Sequence, residues 1–327
     1  MVEDLEQRAI ARLDPTVAGY ITRGAGNNDT CQANLGGWRR LRLRPHVLRD
    51  VTAVDTSTSV LGIPVSAPIL VAPTAMRDLV DPDGERAAAR AAATRRTVMV
   101  TSMASSRPFA EIAAAAPDAP RFAQMYILRD RARTRAIVEE ARDAGARAIV
   151  VSVDAGAVPY GRGAGELGTR VAELVADYDV SVTVDDVMQL GEWSGLPVLV
   201  KGVVRGDDAA RCVDAGVAAV YVSNHGGRIV DGCVDTATAL ADVVDAVDGR
   251  VAVYVDGGIR SGVDVLRALA LGASAVLVGR PVLWGLALGG EDGAGEVLDR
   301  LRAELARALA FCGAESVAAV ARDLVTP

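Results

Sequence analysis

Eight short apolar runs recur between residues 68 and 281, and each of the first seven is followed by a helical stretch. They are 68–74, 97–102, 121–126, 148–154, 196–202, 218–222, 251–258 and 275–281. The runs are nearly continuous in Val, Ile, Leu and Ala, as strands covered on both faces are. The stretches between them, 84–95, 108–116, 129–144, 185–193, 206–215, 237–247 and 262–271, have helical character. Eight such units predict a (β/α)8 TIM barrel. The competing layout is a doubly wound open sheet, but no GxGxxG turn follows the first run. The expected organisation is one domain. Residues 1–66 form an N-terminal helical lead-in, 67–290 the barrel, and 291–327 a C-terminal helix and tail, the helix running from about Gly295 to Cys312.

Composition narrows the partners. The net charge is −7, so no general basic surface for nucleic acid is expected. Four cysteines lie far apart, with no CxxC pair or Cys/His cluster. That pattern predicts no metal site and fits a reduced, cytoplasmic setting. The acidic start lacks the apolar stretch of a signal peptide, and no apolar run is long enough to span a bilayer.

Barrels of this kind place their chemistry at the C-terminal ends of the strands. Those ends carry Thr74, Ser102, Gln124 with Tyr126, Ser152 with Asp154, Lys201, Ser223 with His225, Asp256 with Gly258, and Gly279 with Arg280. Burying so many polar groups is costly, so a polar ligand is expected on this face. The sixth end reads Val222-Ser223-Asn224-His225-Gly226-Gly227-Arg228, and His225 is one of only two histidines. Histidine suits proton transfer near neutral pH, and an arginine fork matches a carboxylate. Taken alone, such a histidine reads as a loop cap; its neighbours favour a base acting on a small acid. Asp256-Gly257-Gly258-Ile259-Arg260 and Gly279-Arg280 end the last two strands, where barrels commonly hold phosphate. Lys201, ending an apolar strand, is an ion-pair partner, a stabiliser of developing negative charge, or a Schiff-base lysine.

Together these motifs resemble the FMN-dependent α-hydroxy acid oxidases and dehydrogenases, which include glycolate oxidase, lactate oxidase, mandelate dehydrogenase and hydroxymandelate oxidase. The resemblance runs from Tyr20 to about Val317 and rests on Arg23-Gly24-Ala25, Ala72-Pro73-Thr74-Ala75, Gln124-Met125-Tyr126, Ser152-Val153-Asp154, Lys201-Gly202, the His225 block and the two glycine-arginine ends. It implies FMN as cofactor and oxidation of a 2-hydroxy acid to the 2-oxo acid, with electrons passing to oxygen or another acceptor. Ala72, Pro73 and Thr74 would lie beside the flavin ring, and Ser102, Gln124 and Ser152 would bond its edge. Lys201 would face the pyrimidine side. Ser223, Asp256, Gly257, Gly258, Arg260, Gly279 and Arg280 would hold the ribityl chain and phosphate. His225 would be the base, Asp154 its partner, and Arg228 the carboxylate clamp, with Tyr20 and Tyr126 also bonding the substrate. Met103 and Ala75 would flank the substrate side chain. The family also implies a homo-oligomer, a tetramer or octamer.

Three departures accompany the resemblance. The loop after strand four, Gly161 to about Asp179, is shortened, and Arg162 is the residue that would match the second carboxylate-binding arginine such loops carry. Met103 stands where relatives have a bulkier or more polar residue. Ile229-Val230 follows Arg228 in place of Gln-Leu. The shortened loop leaves room for a bulky or carrier-bound substrate. The alternatives are flavin-dependent oxidation of a C–N bond or of a peptide, a non-oxidative flavoenzyme, and a non-catalytic FMN-binding barrel.

Overall fold

The eight apolar runs form eight parallel strands that close into a barrel in chain order. This computed structural model describes residues 2–155 and 176–326. The strands are β1 (Ile69–Val71), β2 (Met99–Ser102), β3 (Arg121–Met125), β4 (Ala146–Ser152), β5 (Val198–Val203), β6 (Ala219–Val222), β7 (Ala252–Val255) and β8 (Ala275–Val278). β8 pairs with β1 through Val276 and Ile69, and β7 pairs with β6 through Val253 and Val220.

Side chains alternate along each strand, and this alternation builds the site. One set fills the barrel: Leu70, Val100, Phe122, Val150, Leu199, Tyr221, Tyr254 and Leu277 share one buried cluster. The neighbouring set, with Val71, Met99, Ile149 and Val220, packs outward in the larger cluster that also holds the helices. Two residues beyond each interior residue comes Ala72, Ser102, Gln124, Ser152, Lys201, Ser223, Asp256 or Gly279. The period of two therefore puts them all on the interior side, one layer above the apolar filling. At the opposite end, a hairpin of Thr58–Val60 and Ile63–Val65 inserts Val60 and Val65 into the interior cluster and closes the barrel. Water is kept from the floor of the polar layer by apolar packing beneath it.

The lead-in contains three helices: α1 (Val2–Arg12), α2 (Pro15–Thr22) and α3 (Asp29–Arg40). The reading of the sequence did not separate α3, because Gly36 and Gly37 interrupt its pattern. Gly37 is needed there: a Cβ would come within 2.1 Å of the Asp235 carboxylate. α3 ties the loops after β6 and β7. Asn34 and Asn224 exchange side-chain amide bonds of 2.8 Å, and the Trp38 indole donates to the Gly257 carbonyl at 2.7 Å.

The last helix starts well before the expected Gly295. It runs from Arg280 to Phe311, broken at Gly289 and Gly290. Gly279 caps it and Pro281 lies in its first turn, where the ring costs no hydrogen bond. Arg280 and Pro281 therefore begin a helix rather than end a strand, and an N-terminus points at the strand-end face.

Close helix packing yields one stability prediction. The helix Gly262–Ala270 meets the final helix so tightly that a Cβ on Gly262 would lie 2.1 Å from the Leu305 backbone nitrogen. Gly262→Ala should destabilise the fold by about 1–3 kcal/mol, the usual range for overpacking. Urea unfolding followed by circular dichroism should show a lower midpoint with an unchanged slope; an unchanged midpoint would contradict the packing.

Candidate active site

The polar layer opens into a cavity at the C-terminal ends of the strands. Its walls bring the expected residues together. Ala72, Pro73, Thr74 and Ala75 come from the end of β1, and Ser102, Gln124, Tyr126 and Ser152 from β2 to β4. Lys201, His225 and Arg228 come from β5 and β6. Asp256, Gly257, Gly258 and Arg260 follow β7, Gly279 and Arg280 follow β8, and Tyr20 reaches in from α2.

His225 sits at the edge of this cavity in a left-handed backbone conformation, φ 58°, followed by Gly226 at 65° and Gly227 at 76°. Such geometry is uncommon outside glycine and is often found at functional sites. The turn is held from below: the His225 amide donates to Ser223 Oγ at 3.0 Å, and the Gly227 amide to Asn224 Oδ1 at 3.1 Å. His225 Nδ1 lies 3.0 Å from Asp154 Oδ1, and Nε2 lies 3.4 Å from the Tyr126 hydroxyl. Burial would raise the Asp154 carboxyl, but His225 and Lys201 outweigh it and hold the carboxyl below its ordinary value of 3.8. Asp154 is thus ionised at neutral pH. An ionised partner at Nδ1 favours the tautomer protonated there, leaving Nε2 with a lone pair facing the cavity.

The sign of that shift gives a pH prediction. A depressed carboxyl contributes stability above its unfolded value and loses it as pH falls through the folded value. The stability difference between the wild type and Asp154→Asn should therefore be constant above pH 3.8 and shrink below it. Denaturant midpoints measured across pH check this; a gap that widens in acid would contradict it.

Beneath His225, Lys201 is 3% exposed. Its ammonium donates to Ser223 Oγ at 3.0 Å and lies 3.9 Å from Asp256 Oδ2. Ser223 in turn donates to Asp256 Oδ1, and the Tyr221 hydroxyl donates to Asp256 Oδ2, both at 2.7 Å. Burial, then Asp256, pushes the Tyr221 phenol well above its ordinary value, so it stays a donor. Lys201 is thus an ion-pair member whose counter-ion is already in place.

Arg228 is braced by the protein. Its Nη1 donates to the carbonyls of Tyr20 at 2.8 Å and Arg23 at 2.9 Å, and its guanidinium lies 4.8 Å above the Tyr20 ring. Among the described residues, Nε and Nη2 have no partner.

The residues fit a flavin mononucleotide. Gln124 Nε2 and Ser152 Oγ are buried without a partner among the described residues, and both residues line the cavity. They are a donor and a donor–acceptor of the kind that a flavin ring edge satisfies. Gly258, at φ 82°, has no room for a Cβ, which would lie 2.3 Å from the Asn34 carbonyl. At the same end, Arg260 and Arg280 form no ion pair among the described residues. Burial, then the charge of Arg280, lowers Arg260 to about 10, and burial likewise lowers Arg280. Two neighbouring cations beside a helix N-terminus suit a phosphate dianion.

Four expectations are corrected or left aside. Met103 does not line the cavity; it packs in the outer apolar cluster, its sulfur 3.5 Å from the Tyr126 amide, and Ala104 takes the wall position. Ser223 is not a wall residue either, because its hydroxyl is spent on Lys201, Asp256 and the His225 amide. Arg280 is partly committed to the protein, donating to the carbonyls of Ile21 at 2.9 Å and Gly226 at 3.0 Å. Arg162, with most of the loop after β4, lies outside the described residues. The reading of the sequence missed Tyr178, which lines the cavity and stacks on Tyr126 with ring centroids 4.3 Å apart.

A family model described as FMN-dependent dehydrogenase matches residues 9–164 and 161–327. The chain is 40% identical to 2-hydroxyacid oxidase 1 of Mus musculus, covering 99% of this chain and 95% of the relative. That match runs over 362 positions against 327 residues here, so the relative carries residues that this chain lacks. It is also 40% identical to L-lactate oxidase of a Nostoc species, over 95% of this chain and 93% of the relative. Among solved structures, it matches a lactate oxidase of Pediococcus acidilactici with a TM-score of 0.94 at 33% identity, covering 99% and 93% of the two chains. A mandelate oxidase matches with a TM-score of 0.92 at 39% identity, covering 99% and 97%.

Proposed function

The chain belongs to the FMN-dependent dehydrogenase family and oxidises 2-hydroxy acids with FMN as cofactor, and we propose that His225 is the base of that reaction and Arg228 its carboxylate clamp. The observation that carries this reading is the His225 imidazole held between Asp154 and Tyr126 at the mouth of a cavity that fits the flavin.

Oxidation removes two electrons and two protons from the substrate. Bound FMN would supply the acceptor for both electrons and for the proton that His225 does not take. The protein's residues do the rest. Arg228, braced on two carbonyls, directs its remaining donors at the substrate carboxylate and so orients the hydroxyl-bearing carbon. Tyr126 donates to the substrate from beside His225. His225 Nε2 takes a proton, and Asp154 stabilises the imidazolium that results, as a buried carboxylate does in hydrolytic triads. Lys201, with Ser223 and Asp256 behind it, places a fixed positive charge at the cavity floor, where it favours negative charge on the ligand. Gln124 and Ser152 hold the ring edge, and Gly258, Gly279 and Arg260 the phosphate end.

The finer parts of the reading are a homo-oligomer and a cytoplasmic enzyme. The family resemblance supports the first, and four free cysteines support the second. Among the described residues, no helix is long and apolar enough to cross a membrane.

The test is an anaerobic absorbance titration with small, branched and aromatic 2-hydroxy acids, each enantiomer separately. The purified protein should be yellow, and at least one acid should bleach it. A yellow protein bleached by none of them would overturn the substrate reading.

A further inference from the structure

Behind the cavity wall of Ala72, Pro73 and Thr74 lies a cation that the steps above do not use. Arg77 is only 1% exposed. It begins the short 3-10 turn Arg77–Leu79 that follows β1. Its guanidinium points back at the wall: Nε donates to Thr74 Oγ1 at 2.6 Å, Nη2 to the Ala72 carbonyl at 2.8 Å, and Nη1 to the Met99 sulfur at 3.3 Å. Ala72 and Thr74 both line the cavity.

The matching negative charge is held elsewhere. Glu85 is fully buried, and its Oε1 accepts the backbone amides of Arg77 and Ser106, both at 3.0 Å. Neither of those residues lines the cavity. Glu85 Oε2 has no partner among the described residues. The two charges therefore do not form a direct ion pair, and the positive end is bonded to the cavity wall. Burial lowers the guanidinium to about 10, against the opposing pull of Glu85, so it is charged at neutral pH. A buried charge without a close counter-ion is costly to keep. Its three nitrogens each bond to the strap that faces the flavin or to the strand beside it.

We propose that Arg77 is a positioning residue for FMN that also raises the cofactor's reduction potential. With Thr74 Oγ1 accepting from a cation, the Thr74 O–H is polarised as a donor into the cavity. The bond to the Ala72 carbonyl holds the strap against the ring. The positive charge behind the strap favours the negative charge that FMN gains with its electrons, an effect that is large in a site of low dielectric.

The proposal rests on FMN occupying this cavity but not on the identity of the substrate. The test therefore uses no hydroxy acid. Holoenzyme is reduced slowly with a chemical reductant in the presence of a reference dye, and the ratio of oxidised to reduced FMN is read against that of the dye. Arg77→Gln should shift this equilibrium at least about tenfold toward oxidised FMN, which is about 30 mV for a two-electron couple. Arg77→Lys, which keeps the charge, should recover most of the wild-type ratio. Thr74→Val, which removes the polarised hydroxyl and preserves the shape, should shift the ratio in the same direction by less. A merely structural arginine would leave the potential alone and lower only thermal stability or FMN affinity, which are measured in parallel. A ratio in Arg77→Gln holoenzyme unchanged from the wild type overturns the proposal. Should that variant not fold, an unchanged ratio in Thr74→Val overturns it.

Discussion

His225→Asn is expected to slow reduction of the bound FMN by a 2-hydroxy acid at least roughly 10²–10⁴-fold, the contribution usual for a general base. Asparagine is chosen for a reason in the backbone. His225 sits at φ 58°, a conformation that asparagine tolerates better than alanine or glutamine. The backbone amide that donates to Ser223 Oγ is kept by asparagine. The loop, the Gly226 carbonyl that Arg280 uses, and the cavity should therefore survive. What is lost is the imidazole between Asp154 and Tyr126. Anaerobic stopped-flow absorbance gives the reduction rate, and a fluorescence titration of the apoprotein gives FMN affinity, which should be unchanged. A rate within tenfold of the wild type would remove His225 from the reaction. A second signature separates a base from a binding group: the rate at saturating substrate should fall far more than the substrate's apparent affinity.

Much of this site was legible because two simple periods coincide. A parallel strand covered on both faces reads as a continuous apolar run, so the strands ending at Ser152 and Val278 could be located without a structure, their ends overrun by two or three residues. The period of two then decides which residues beyond the run share the interior side. Gln124 lies two residues beyond Phe122, Lys201 two beyond Leu199, and Asp256 two beyond Tyr254. The polar layer thus follows from strand geometry once the runs are placed.

What escaped is set by tertiary contacts with no local signal. Arg77 stands in Met76-Arg77-Asp78-Leu79, next to a helix start, and looks like any solvated arginine; only the fold shows it enclosed. Tyr178 is placed by a bridge between its own backbone and Leu128, residues far apart in the chain. Ser223 carries the residue type of a ligand contact, yet three protein groups engage its hydroxyl. The helix Asp29–Arg40 was hidden by its glycines, and Gly37 is explained only by the Asp235 carboxylate that lies against it. A sequence pattern reports where a side chain points, whereas its partner is a property of the packed molecule.

The second large effect is expected at Arg228. Arg228→Met should weaken binding of a 2-hydroxy acid by about 2–5 kcal/mol, the range for removing one partner of an enclosed charge pair, or roughly 30-fold to several thousandfold. The size of the effect follows from how the guanidinium is spent. Nη1 is fixed on the carbonyls of Tyr20 and Arg23, and the Tyr20 ring lies under the fork. The side chain is thus ordered before substrate arrives, so little entropy is lost on binding. Lysine cannot reproduce this, because a single ammonium cannot brace on two carbonyls and still present a planar pair of donors. Arg228→Lys should recover only part of the affinity. The decisive comparison uses a neutral ligand, the amide of the same hydroxy acid. If Arg228 reads the carboxylate charge, Arg228→Met should weaken the acid strongly and the amide little, a coupling that a double-mutant-style cycle isolates. Equal losses for acid and amide would mean that the substitution has disturbed the loop rather than removed a clamp, and the carboxylate would then have to be bound elsewhere in the cavity.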